Sequence, residues 1–453
     1  MSKFSIPWPG RLVKFMFQVR LKKLRFSRAI LCVALFVAAM QQPVLSLAQE
    51  YQDDPIQERF DDALSALDAN QVLVARQLLA ELLADHPTLH RARLELARAE
   101  YLSRDYDAAE AEVLEVLEDP DVPVSVRTTL LAFLAQIRDD RLTFEEPHSW
   151  GGYVYTGLMY DSNVNFGTTR DVVNVGGVPL TVEDISKELD DWAAVLDAGF
   201  SHSYNPNKKF QSGGKTGYFL WHTQGNGYYR RYQDEDDYNL GVLTLRTGPV
   251  WAVPEKWRAS LAVQADQIFL DDSKLAVFLT VNPNINILLN QRTELTLDLA
   301  LTDRNYDDGI NEARDGTYYS GLAVLTRFYL ERDLGLQLGA GYSDFDADED
   351  VLSYDSPEVF VGATYQVWQG GTVFGRLGYR NYDYDDPITF PGVSENRDDD
   401  EIRFVTGVQH LINGDVLNGW VVKAEYAYTD NDSNLDLFDY DRHQVSLGIS
   451  KGF

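Results

Sequence analysis

Residues 294–301 read Glu294-Leu295-Thr296-Leu297-Asp298-Leu299-Ala300-Leu301. Every second side chain is leucine, and those between are charged, hydroxylic or small, so an extended chain carries one apolar and one polar face. A helix would scatter the same leucines around its circumference. The two-residue period returns at Leu334, Leu336, Leu338 and Ala340 against Gly335, Gln337 and Gly339, and at Trp420, Val422, Ala424 and Tyr426 against Lys423 and Glu425. These charges fall on the face a soluble sandwich would bury. A barrel with a polar or water-filled interior accepts them.

Runs of this kind start near residues 150, 192, 215, 237, 257, 274, 293, 316, 334, 355, 371, 399, 419 and 438. Fourteen is an even number, as closure of a single-chain barrel requires. Connections after even-numbered runs are short (205–209, 254–256, 290–292, 331–333, 369–370 and 413–418). Those after odd-numbered runs are mostly longer and acidic (167–190, 303–315, 345–356, 382–400 and 430–439). Barrels of this class keep short turns periplasmic and long loops outside, which places the N-terminal part in the periplasm. Aromatic clusters at Tyr228-Tyr229, Trp251, Trp257, Tyr318-Tyr319 and Trp420 suit the two interfacial girdles. Downstream of the leader no segment has 18 consecutive apolar residues, so strands must do the crossing.

The first 28 residues hold eight bases and no acid, 29–40 are apolar, and Ser46-Leu47-Ala48 places small residues for cleavage. A cleaved signal peptide over 1–48 is expected. Cys32 follows the bulky Leu31, which is wrong for acylation, and removing the leader leaves no cysteine for a disulfide, a thiol nucleophile or a Cys-ligated metal. Lys and Arg total 40 against 70 Asp and Glu, and without the eight leader bases the balance is 32 to 70, about −38. Nucleic acid is thereby disfavoured as a partner.

Between Pro55 and Arg138 the apolar spacing is helical, about five helices interrupted at Pro87, Pro120 and Pro123. Ala75 and Ala109 stand 34 apart, and His86-Pro87 and Asp119-Pro120 stand 33 apart, the tetratricopeptide period. Leu96-Ala97 supplies the large-then-small pair of a first helix, whereas Arg59 and Arg93 occupy positions where that motif prefers Trp. A closing helix is expected over 123–138. The expected fold is therefore an α + β membrane protein, with an N-terminal tetratricopeptide-like α-helical domain (49–146) followed by a 14-stranded antiparallel transmembrane β-barrel (147–453). On the helical domain, the repeat phase puts Phe60, Leu64, Arg91, Leu94, Arg98 and Tyr101 on the concave surface, the usual peptide-binding face. The alternative is that the arginines pair with Glu95 or solvent.

Strand parity assigns Arg258, Asp266, Glu294, Asp298, Arg376, Arg380, Lys423 and Glu425 to the lumen. Their signs are mixed, while a conduit for an anionic polymer should be predominantly basic. His202-Ser203 is the one adjacent nucleophile–base pair and lacks a visible orienting carboxylate, and His222, His410 and His443 lack metal-ligand spacing. No enzyme, metal or cofactor is expected. Asp303, Asn305 and Asp307 open like a calcium loop, but Gly309 comes one position late. Loose divalent bridging to lipopolysaccharide, or plain solvation, suits these acidic loops better.

The stretch Tyr160-Asp161-Ser162-Asn163-Val164-Asn165 directly follows the first run, and the last run ends Ser450-Lys451-Gly452-Phe453. With a short helical domain ahead of fourteen strands, the chain resembles the Slam-type surface lipoprotein assembly modulators. That resemblance implies a non-enzymatic translocon whose helical domain receives client proteins or lipoproteins and whose barrel passes or inserts them. Ser446, Gly448 and Phe453 match the terminal pattern read by the barrel-assembly machinery, with Lys451 where an apolar residue is preferred. A porin-like exporter of polysaccharide or small solutes stays open, because fold alone does not decide function.

Overall fold

The computed structural model describes residues 55–453 except Asn70, Asp121, Gly176, Gly177, Asp308, Ile310, Pro391, Gly392, Asp415 and Val416, so the expected leader lies outside the described residues. Among the described residues five helices come first: α1 (Pro55–Asp68), α2 (Val72–Asp85), α3 (His90–Leu102), α4 (Tyr106–Glu118) and α5 (Val124–Glu145). Each packs on the next. Alanines make the approach close: Ala63, Ala75, Ala97, Ala99 and Ala109 are all fully buried. Leu79, Leu82 and Leu96 fill one core and Val113, Val116, Leu134 and Ile137 the other. Arg93, where the repeat motif prefers Trp, is buried and charge-satisfied. Its guanidinium donates to Glu112 at 2.8 Å, Glu115 at 2.9 Å and the Pro87 carbonyl at 2.9 Å, joining α3 to α4. Arg59 takes a different partner, Asp85 on α2, at 2.8 Å. The closing helix α5 runs seven residues past its expected end.

The strands are β1 (His148–Asp161), β2 (Val172–Val175), β3 (Val178–Thr181), β4 (Asp191–Tyr204), β5 (Lys209–Ser212), β6 (Lys215–Tyr232), β7 (Leu240–Val253), β8 (Trp257–Leu270) and β9 (Ser273–Asn290). They continue as β10 (Thr293–Tyr306), β11 (Gly316–Tyr329), β12 (Leu334–Ala347), β13 (Tyr354–Trp368), β14 (Gly371–Phe390), β15 (Val393–Leu411), β16 (Trp420–Ser433) and β17 (Tyr440–Gly452). β4 pairs with both β1 and β6, consecutive strands from β6 to β17 pair antiparallel, and β17 returns to β1. Fourteen strands thus form a closed wall. β2 and β3 make a separate hairpin in the first long loop, and β5 folds onto β6 at the opposite end.

One expected strand start moves by six residues. β15 begins at Val393 rather than 399, because β14 and β15 stay paired as far as Phe390 and Val393. The acidic stretch read as a loop is a hairpin continuing the ladder, since backbone pairing outside a bilayer needs no apolar face.

Parity holds along the wall. Leu299 is 55 % exposed and Leu447 59 %, although both lie mid-strand, so the apolar set faces outward as a lipid-facing band does. In the pairs Tyr228-Tyr229 and Tyr318-Tyr319 the two rings take opposite faces, so the girdle keeps Tyr229 and Tyr319 while Tyr228 and Tyr318 turn into the lumen. The helices meet the wall at its short-turn end. The Leu73 amide donates to the Gly214 carbonyl at 2.9 Å, Lys209 Nζ to the Arg104 carbonyl at 2.6 Å, and the Arg104 guanidinium lies 4.4 Å over the Tyr218 ring.

Removing the buried Arg93 guanidinium unpairs the partly buried Glu112 and takes a donor from the Pro87 carbonyl, while the more exposed Glu115 turns to solvent. Arg93→Ala should destabilise the helices by about 1–3 kcal/mol. Far-UV circular dichroism melts of the full chain in detergent should show an earlier helical transition, with the barrel's heat-modifiable gel mobility unchanged; coincident helical melts of variant and parent would contradict the assignment.

Candidate functional site at the strand seam and in the lumen

Asp161 ends β1 on the lumen side and is fully buried. A carboxylate there costs several kcal/mol unless its lone pairs are taken. They are. Arg442 Nε of β17 donates to Oδ1 at 2.8 Å, while Tyr232 Oη of β6 and Gln444 Nε2 of β17 each donate to Oδ2 at 2.9 Å. The Asn163 amide adds a bond at 3.2 Å. One residue at the end of the first strand therefore binds groups from the third and last strands of the wall.

The rest of the six-residue stretch folds the following loop. Ser162 and His443 exchange two bonds, Ser162 N to the His443 carbonyl at 2.9 Å and His443 N to Ser162 Oγ at 2.8 Å. Asn163, also fully buried, donates to the Gly167 and Asp441 carbonyls and accepts from Gly167 N. Asn165 donates to the Lys187 carbonyl at 2.6 Å and accepts from Leu189 N at 3.0 Å, tying the two ends of the loop together. Val164 is buried against Met159 and Ala193. Tyr160 faces outward, its ring against Trp192 and its hydroxyl on Asp190 at 3.1 Å. Phe166 lies 4.3 Å from the Arg442 guanidinium, and Arg170 pairs with Asp436 at 3.0 Å and with Asp439. Farther out, a hydrogen bond from Lys187 holds the exposed Asp171 carboxyl below its usual range.

The eight charged positions expected in the lumen all have inward parity. Asp298 accepts from Asn282 at 3.1 Å and Asn284 at 2.8 Å, and Asp266 accepts from Thr244 at 2.6 Å and from Gln264. Glu294 meets Arg332 at 2.7 Å, Arg380 meets Glu358 at 3.0 Å, and Lys423 meets Glu425 at 2.7 Å. Arg376 stacks 3.5 Å over Phe360, while Arg258 stays exposed. Toward the long loops the lumen fills with rings. Arg304 lies 4.2 Å from Tyr318 and 4.6 Å from Phe345, Phe345 meets Tyr354, Tyr354 meets Tyr382 and Tyr384, and Arg397 sits between Tyr384 and Phe438.

At the terminal strand, Gly448 lies directly under the Tyr155 ring, where a Cβ would come within 2.4 Å, and Ser446 pairs with Met159 across the seam. Phe453 and Gly152 exchange backbone bonds of 2.8 and 2.9 Å. Lys451 keeps its ammonium on the Asn418 carbonyl at 2.8 Å while lying 5.9 Å over Trp420, so its stem occupies the apolar position.

The expected groove on the helices is not formed as one open surface. Phe60 is 5 % exposed and belongs to the core, with Leu64 packed against it. Tyr101 bonds to Asp140, accepts from Gln136 at 3.0 Å, and packs edge-on against Tyr106 and Phe133; burial, then the Asp140 bond, pushes its hydroxyl up to about 12. Leu94 is half-buried in the second core. Arg91 and Arg98 remain exposed, the first 4.7 Å over Phe60 and the second 3.4 Å from Glu95. The repeat phase does not encode which aromatic rings the neighbouring turns cover.

His202 and Ser203 point to opposite faces of β4, so they form no pair. His202 stacks on Trp150 outside, and Ser203 Oγ instead lies 2.8 Å from His222 Nδ1 on the neighbouring β6. His222 thus has a hydrogen-bond partner across the strand pair. No carboxylate bonds that imidazole among the described residues, so the orienting third member of a hydrolytic triad is lacking. His410 and His443 likewise have partners, Trp368 at 3.1 Å and Tyr426 at 2.9 Å. Asp303 and Asn305 lie on β10, bonded to each other at 2.9 Å, rather than in a calcium loop.

Arg442 and Tyr232 escaped the sequence reading. Arg442 stands 281 residues from Asp161, and it could have been found by asking which inward base on the last strand reaches the level of an inward acid on the first.

A closed fourteen-stranded wall, apolar outside and polar within, defines an integral outer-membrane β-barrel. The family model described as surface lipoprotein assembly modifier matches residues 150–453, and the chain belongs to that family. Among solved structures, OpdQ of Pseudomonas aeruginosa is similar at 10 % identity over 68 % of this chain and 98 % of its own, with a TM-score of 0.33. A FadL homologue of Pseudomonas aeruginosa is similar at 11 % identity over 69 % and 91 %, with a TM-score of 0.35. OmpT of Vibrio cholerae (trimer form) is similar at 13 % identity over 68 % and 99 %, with a TM-score of 0.35. No curated protein matches the chain.

Asp161→Asn leaves the Arg442 guanidinium buried without a counter-charge, a loss of about 3–5 kcal/mol. The temperature at which gel mobility shifts should fall in Asp161→Asn and in Arg442→Gln, and should fall less in the double variant than the two losses added. Simple additivity would show that the two residues do not act together.

Proposed function

We propose that this protein is a non-enzymatic outer-membrane assembly factor that delivers client proteins, lipid-anchored ones foremost, to the cell surface. Family membership over residues 150–453 is the observation that carries this reading. The short-turn end, with its helices, faces the periplasm and receives the client; the barrel-assembly machinery inserts the protein, reading Ser446, Gly448 and Phe453; and lipopolysaccharide surrounds the outer rim. On the helices the receiving surface centres on the exposed Arg91 and Arg98, which can offer charge-assisted bonds to a client carboxylate.

The lumen supports handling of proteins over passive export. A conduit for diffusing solutes must be open at rest. Here stacked rings and guanidiniums occupy the lumen near the long loops, from Arg304 through Tyr354 to Arg397. The long first loop is tied down by Asn163 and Asn165 rather than left free.

Deleting the gene should leave one or a few lipid-anchored proteins inaccessible to protease added to intact cells, with restoration on complementation and unchanged uptake of small sugars. Full surface display in the deletion strain, together with steady sugar-blockable conductance from the purified barrel in planar bilayers, would replace this reading with solute export.

A further inference from the structure

β7 and β8 pair from Leu240 to Thr247 and again from Val250 to Val253, in one register, with the ladder interrupted at Gly248 and Pro249. The sequence dictates the interruption. Pro249 has no N–H to donate, and the Leu261 carbonyl oxygen comes within 2.1 Å of where a Cβ on Gly248 would stand, a space no other residue leaves free. The wall is dented there, and a cavity of about 170 Å³ opens on its lumen side.

The charges around the dent are one-sided. His222, Arg246 and Arg258 line it together with Gln224 and Ser260, and no carboxylate does, in a chain whose net charge is −30. The nearby Asp266 is turned to Thr244 and Gln264. Arg246 is held in place by the amide oxygens of Gln264 and Asn282, neutral groups whose own N–H donors go to Asp266 and Asp298, so no carboxylate bonds the guanidinium directly. His222 is fixed through Nδ1 by Ser203 Oγ. Arg258, across the dent, makes no hydrogen bond or ion pair among the described residues. Two guanidiniums and an imidazole thus line a half-open space large enough for a single tetrahedral or planar oxyanion, to which they can offer charge-assisted bonds.

We propose that this dent is an oxyanion-binding site, taking one phosphate or carboxylate group that enters the lumen. Arg258 supplies the free donors, Arg246 a fixed positive charge, and the Gly248-Pro249 interruption the room. The site is separate from the Asp161 seam and does not depend on which cargo the barrel handles.

The test is isothermal titration calorimetry on the full chain in detergent at low salt, with pyrophosphate as the phosphate probe and glutarate as the carboxylate probe. Saturable binding of at least one is expected, and the one held more tightly identifies the source of the oxyanion. Arg258→Gln should weaken it at least about tenfold and Arg258→Lys by less, with folding verified by unchanged heat-modifiable mobility. His222→Gln, which keeps a polar side chain next to Ser203, should weaken it to a smaller degree. No saturable binding of either probe, or equal affinity in the parent and Arg258→Gln, would overturn the proposal.

Discussion

A sheet crossing hydrocarbon must leave no backbone N–H or C=O without a partner, so its first and last strands have to meet. In this chain that single junction joins residues almost three hundred positions apart, and everything else depends on it. β1 and β17 pair from Tyr153–Gly452 to Asp161–Gln444, extended by Gly152–Phe453 at one end and Ser162–His443 at the other. Backbone pairing alone tolerates a slip of two residues, since parity would survive it. The Asp161–Arg442 pair does not. Slipping the seam would leave a buried carboxylate and a buried guanidinium without each other, a penalty larger than that of most surface contacts. At the seam's centre Gly448 lets the Tyr155 ring lie flat on the backbone, a further contact that only one register allows.

The same junction organises the outer surface. Because Asp161 fixes the end of β1, the next residues leave in a defined direction, and Asn163 and Asn165 use their amide groups as substitutes for a ladder. The loop over 162–190 is then joined to the last connection through Arg170 and the Asp436–Asp439 segment. The stretch that carries the family resemblance is, in the structure, a set of internal partners, with the Asp161, Ser162, Asn163 and Asn165 side chains spent on closing the seam or the loop. What it holds is the shape of the long-loop end, next to the ring-filled part of the lumen.

The wall was legible in sequence because a period of two survives any tertiary environment: Leu295 to Leu301 face lipid wherever the barrel puts them. The turns were legible for the same reason, being the places where the period stops. What was hidden is what joins distant strands. Nothing local to Asp161 names Arg442, and nothing local to Ser203 names His222, because these contacts arise from closure and register rather than from spacing. The hairpin of β14 and β15 was misjudged since Asp398, Asp399 and Asp400 look like loop residues, yet above the bilayer polar strands pair freely. On the helices, Phe60 and Tyr101 were placed on the correct elements, but which rings a neighbouring turn covers depends on packing that a repeat period does not encode.

The most direct measurement is disulfide trapping across the seam in a Cys32→Ser background. Met159 and Ser446 face each other in a non-hydrogen-bonded pair, where opposed Cα atoms lie about 4.5 Å apart, close enough for a bridge. Met159→Cys combined with Ser446→Cys should cross-link in membranes under mild oxidation and give a barrel that no longer shifts fully on boiling without reductant. Met159→Cys with Gly448→Cys, one slip away, should cross-link poorly. Equal trapping of both combinations, or preference for the second, would contradict a seam held in register by Asp161 and Arg442.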